Sequence, residues 1–108
     1  MDNIKEAVQA GLVAAKAASE AEYTRIGGDG YACGFAWVTV YGVKLSTKEG
    51  KVFKSLGFDK AYGGGIQYWN PGGMSVQNID IKEAGAVAFA KVLRGTLGVT
   101  AYAGSRMD

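Results

Sequence analysis

The chain has 108 residues, 48% hydrophobic and 20% charged, with 12 basic and 10 acidic side chains and a formal net charge of +2. That length and apolar share suit a single domain, residues 1–108, with a substantial core, and they exclude a disordered chain, a polybasic nucleic-acid coat and an acidic tail protein. Histidine is absent and Cys33 is the one cysteine. This excludes a histidine-based triad, imidazole or paired-cysteine metal sites and an internal disulfide framework, and no metal or cofactor is expected. No uncharged apolar run approaches the ~20 residues of a membrane span. The opening "MDNIKEAVQ" carries charge where a secretory signal is apolar, so a cytoplasmic protein is expected.

The first predicted element is a helix over 3–23. Asn3 and Glu6 have the spacing of a capping box, and Ile4, Val8, Leu12 and Ala15 recur at helical spacing. Its apolar stripe is narrow and flanked by alanines, so it must dock on something. "IGGDG" (26–30) ends it.

"CGFAWVTVYG" (33–42) follows, and the alternation predicts a strand over 32–41 with two unlike faces. Ala32, Gly34, Ala36, Val38 and Val40 form a small face that admits helices closely. Cys33, Phe35, Trp37, Thr39 and Tyr41 form a bulky one. Ser46 and Glu49 in "STKE" predict the start of a helix running to about Leu56, with Gly57 as its left-handed terminator. "YGGGIQYWNPGGMSVQNI" (62–79) predicts two strands around an Asn-Pro-Gly-Gly turn, and glycines 63–65 mark a bulge or a close backbone approach. "DIKE" (80–83) predicts a helix over 80–94 capped by Asp80. Its apolar side carries Ile81, Ala84, Val87, Ala88 and Val92, with Phe89 and Leu93 nearby. "VTAYAG" (99–104) predicts a last strand, and 105–108 a frayed polar tail.

After the first helix the order is β-α-β-β-α-β. The expected fold is therefore α+β, a ferredoxin-like split β-α-β-β-α-β sheet over 31–108 with an extra N-terminal helix. A three-stranded sheet is the alternative. Helices on one sheet face leave the other open, and the N-terminal helix is the expected cover, on its own sheet or on a second copy.

Candidate sites follow from that geometry. Phe35, Trp37, Tyr41, Tyr62 and Tyr102 form the candidate interaction face. "GFAWV" (34–38) partly matches the aromatic strand pattern with which RNA-recognition modules stack bases. Cys33 replaces its basic residue, Val40 its last aromatic, and the run sits on the first strand rather than the third. "GGDG" and "YGGG" could cradle phosphate, although neither fits a phosphate-loop or dinucleotide pattern and turns explain both. Lys51, Lys54 and Arg106 are candidate anion contacts, against the usual reading of solvated lysines and a mobile tail. Cys33 reads as a buried structural thiol.

"CGFAWV" (33–38), "YGGG" (62–65), "KEA" (82–84) and "AYAGSRMD" (101–108) together resemble small uncharacterised proteins of tailed bacteriophages, over about residues 31–108. Trp37, Tyr62, Arg106 and Asp108 fall within these blocks. Gly85 stands where those proteins carry a histidine, so any role of that histidine does not transfer. The resemblance implies a phage protein made in the host cytoplasm and assigns no chemistry. With no nucleophile–base pair to name, the expected function is non-enzymatic. It is a protein–protein interaction module that self-associates as a dimer and acts on a host protein. The alternative is binding of RNA, single-stranded nucleic acid or nucleotide phosphate through the aromatic face, the glycine loops and the lysines.

Overall fold

The structure, a computed structural model, describes residues 3–108; Met1 and Asp2 lie outside it. The first helix, α1, spans Ile4–Ile26, three residues past its expected end, and Gly27 in the left-handed conformation (φ 83°) terminates it. Asn3 holds the N-cap position but makes no side-chain capping bond. Its backbone, at φ −108° and ψ 30°, lies outside the extended region from which a cap side chain reaches back.

Strand β1 (Gly34–Tyr41) is followed by α2 (Lys48–Ser55). The α2 cap is Thr47 rather than Ser46: the Thr47 hydroxyl accepts the Gly50 N–H at 3.0 Å. Gly57 follows the helix with φ 109°, as expected. The next two strands are β2 (Asp59–Lys60) and β3 (Ile66–Trp69), joined by the glycine turn. Gly65 (φ 74°) packs against the Val40 carbonyl, where a Cβ would overlap backbone, so the triple glycine does mark a close approach.

Residues 74–79 do not form the expected strand. They touch the sheet through one isolated bridge, Cys33 to Asn78. Their backbone groups are spent elsewhere: Gln77 and Asn78 donate to the Asp29 carboxylate, and Asn78 becomes the N-cap of α3 (Ile79–Leu97). The cap bond, Ile81 N–H to Asn78 Oδ1 at 3.1 Å, displaces Asp80 from its expected role. Helix α3 runs past residue 94 to Leu97 and ends at left-handed Gly98. Strand β4 spans Thr100–Met107, so the expected frayed tail is ordered strand, with Arg106 paired to Phe35 and Met107 to Gly34.

The sheet order is β2-β3-β1-β4 and every pairing is antiparallel. This is the strand order of the split β-α-β-β-α-β arrangement, with four strands rather than three. The protein is α+β with an N-terminal helix, as expected. Ala36, Val38 and Val40 turn to the helical side, where Phe53, Phe58, Ile66, Phe89, Leu93 and Ala101 complete the core. Each large side chain fully buried there stabilises the fold by on the order of 1.5–3 kcal/mol.

Helix α1 does not cover the open sheet face. It lies against α3, on the far side of the helical layer from the strands. Small residues make that docking close. Gly11 faces the Phe89 ring, which a Cβ would approach to 2.7 Å. Buried Ser19 donates its hydroxyl to the Ile81 carbonyl at 2.7 Å. Around Ser19, Gly72 of the Asn-Pro-Gly-Gly turn meets Gly85 of α3; a Cβ at 85 would overlap Ser19 Oγ and come within 2.8 Å of Gly72 Cα.

Candidate functional site: the open sheet face

Because β1 alternates between small and bulky residues, the face away from the helices receives all of its aromatics. The register sets Trp37 between Trp69 on β3 and Gly104 on β4, and Thr39 between Gln67 and Tyr102. Trp37 and Trp69 meet at 5.0 Å between ring centroids, tilted by 40°. Phe35 meets Trp69 edge-on at 6.2 Å. The Trp37 indole lies across Gly104, where a Cβ would come within 2.7 Å of the ring. Only a residue without a side chain lets the indole rest on the neighbouring strand. Tyr41 and Trp69 are each 47% exposed and Tyr102 57%. These apolar side chains, left partly exposed together on one sheet face, make it the candidate site.

Two cations flank Phe35. The Arg106 guanidinium carbon lies 5.7 Å from the ring centroid and Lys82 Nζ 5.2 Å, within cation–π range. Lys82 is committed to the Gly34 carbonyl at 2.8 Å, whereas Arg106 has no ion-pair partner among the described residues.

Of the expected interaction face, Phe35, Trp37, Tyr41 and Tyr102 stand together on this surface. Tyr62 is fully exposed on the glycine turn and borders it. The expected anion contacts do not converge. Lys51 and Lys54 belong to α2 in the helical layer, and Lys54 pairs with Asp59 at 3.4 Å, while Arg106 is on the open face. Hydrogen bonding from the Lys60 N–H and the charge of Lys54 hold the Asp59 carboxyl below its ordinary value. Cys33 is half-buried rather than buried, its Sγ 3.5 Å from Gln77 Oε1.

Sequence reasoning missed Trp69, Gln67 and Gly104 as members of this face, although "IQYW" and "AYAGSR" carry the same alternation as β1. It also missed the Asp29–Asn78 tie. Asp29 Oδ1 accepts the N–H groups of Gln77 (3.0 Å), Asn78 (2.9 Å) and Gly30 (2.8 Å). The Gln77 N–H above all holds its carboxyl below the ordinary value. The aspartate of "GGDG" therefore ties this loop to the start of α3.

No protein-family model matches the chain, and neither a curated protein nor a solved structure matches it. Among the described residues, no helix is long and apolar enough to cross a membrane.

Proposed function

We propose that the protein is a non-enzymatic interaction module that self-associates through the free edge of β4. One observation carries this reading. The two sheet edges are unequal: β2 is two residues long and β4 eight. Very short edge strands resist pairing, while a long, regular edge invites it. The Asp108 N–H donates to the Cys33 carbonyl, and antiparallel ladders alternate. Thr100, Tyr102, Gly104 and Arg106 therefore face β1, and Ala101, Ala103, Ser105 and Met107 turn their backbone groups outward. Arg94 takes the Ala101 carbonyl at 2.7 Å. From Ala103 onward the edge has no proline, lysine or bulge to guard it.

A second copy fits this edge, because an antiparallel strand can pair with itself about a two-fold axis. Such a dimer joins two sheets into one and sets two aromatic faces side by side. Aromatic residues are enriched in interface cores, and the resemblance to phage proteins supports a host protein as the partner of the widened face.

Sedimentation across a concentration range tests self-association. The wild type is expected to be a dimer at micromolar concentration. Ala103→Pro removes only an outward N–H, and Met107→Lys adds charge to the edge; both are expected to remain monomeric with an unchanged circular-dichroism spectrum. A wild type that stays monomeric at every concentration overturns the proposal.

A further inference from the structure

We propose that the cleft between the tryptophan pair and the glycine turn binds one nucleotide unit. Its base stacks on Trp37 and Trp69, Gln67 and Thr39 meet the edge of the base, and Arg106 holds its phosphate. The cleft has a volume of about 320 Å³, and Tyr62 with glycines 63 and 64 borders its far side. That volume lies at the lower end of small-ligand sites. The cleft is built from side chains of the open face, whereas self-association uses the outward backbone groups of β4, so this inference does not depend on self-association.

Three features select a base over an apolar protein side chain. First, Trp37 is held against Gly104 by its neighbours, so it offers a fixed aromatic surface with little entropy left to lose. Base–aromatic stacking on such platforms tolerates any base. Second, the floor is polar. Thr39 is 8% exposed and its hydroxyl has no hydrogen-bond partner among the described residues, and Gln67 beside it offers two donors and an acceptor. A leucine or phenylalanine in the cleft would desolvate both groups without pairing them, whereas the ring edge of a base carries complementary donors and acceptors. Third, Arg106 borders the cleft with no ion-pair partner among the described residues. Among the described residues, no acidic side chain lines the cleft. A planar guanidinium suits a phosphate.

"GFAWV" acquires a place through this geometry. It lies on β1, a central strand of the sheet, and both Phe35 and Trp37 face outward. Its position on the first strand therefore does not remove it from the middle of the face.

Both tryptophans of the chain line the cleft, so their fluorescence reports occupancy directly. The full chain is titrated with UMP, AMP, uridine, and short oligouridylate and oligoadenylate strands, at low and high salt. Saturable quenching is expected, with uridine weaker than UMP. Trp37→Leu, followed through Trp69, is expected to lose between about fivefold and a hundredfold in affinity. Arg106→Gln is expected to lose about tenfold. Thr39→Val, which keeps the shape and removes the hydroxyl, and Gln67→Ala, which removes the half-buried amide beside it, are each expected to lose several-fold with unchanged circular dichroism. Tighter, salt-sensitive binding of the strands identifies single-stranded nucleic acid as the source; equal affinities identify free nucleotide. Absence of saturable quenching by every probe overturns the proposal. So does quenching that Thr39→Val, Gln67→Ala and Arg106→Gln leave undiminished, because it would place stacking elsewhere.

Discussion

Two glycines of α3 should respond to alanine with opposite signs. Both Gly85 and Gly95 lie inside the helix. Replacing a glycine by alanine in a helix interior stabilises by about 1 kcal/mol through propensity alone. Gly95 is exposed, and a Cβ there meets nothing within 4 Å. Gly95→Ala should therefore raise stability by about 0.5–1 kcal/mol and the Tm by roughly 2–6 °C. At Gly85 the methyl would strike Ser19 Oγ and approach Gly72 Cα to 2.8 Å and Gly72 N to 3.0 Å. Overpacking of this kind costs about 1–3 kcal/mol, and contact with backbone, which cannot rotate away, favours the upper part of that range. After the propensity gain, Gly85→Ala should lose about 1–2 kcal/mol and roughly 4–12 °C. Thermal melts followed by circular dichroism measure both variants. Ser19→Ala should cost about 1 kcal/mol through the lost bond to Ile81 in the wild type, and less in the Gly85→Ala background, where it also removes the atom struck. Equal stabilisation by the two alanines would refute the close docking of α1 on α3.

Three other outcomes follow from the described contacts. Asp29 has a lowered folded pKa, so its stabilisation is complete above the ordinary carboxylate value and is lost as pH falls through the depressed one. Asp29→Asn should thus be less stable at neutral pH, with the difference shrinking below about pH 4 in acid-denaturation curves. Gly104→Val should lift Trp37 off β4 and shift tryptophan emission to the red, with the far-ultraviolet spectrum unchanged, since the added side chain meets the indole and not the core. Thr47→Ala should cost about 1 kcal/mol in urea denaturation, whereas Ser46→Ala should stay within about 0.5 kcal/mol, because only Thr47 caps α2.

How legible each part was depended on whether its cause is local. The alternation of 34–41 is a local, period-two signal, and both the strand and its two faces follow from it. Gly57 and Gly98 likewise end helices by local backbone chemistry. The caps slipped by one or two positions because Ser46 and Thr47, or Asn78 and Asp80, are equally able to cap, and the choice is made by the incoming chain. Residues 74–79 alternate like a strand. Their backbone donors are claimed by Asp29, a partner 48 residues away in sequence that no local pattern reveals. The polar end, Ser105 to Asp108, reads as a tail because an edge strand exposes most of its side chains, and polarity there reports exposure rather than disorder. The position of α1 was hidden for a related reason. Its docking depends on Gly72 and Gly85, two absences of side chain whose use appears only when three segments meet at Ser19. The face itself was half legible: the β1 aromatics were evident, while Trp69, Gln67 and Gly104 joined them only through the pairing register.

Amide hydrogen exchange along β4 tests self-association most directly. The N–H groups of Tyr102, Gly104 and Arg106 face β1, and those of Ala103, Ser105 and Met107 face outward. If two copies pair through this edge, the outward amides should be protected at high protein concentration and exchange freely on dilution, while the inward set stays protected throughout. Free exchange of Ala103, Ser105 and Met107 at every concentration would contradict it.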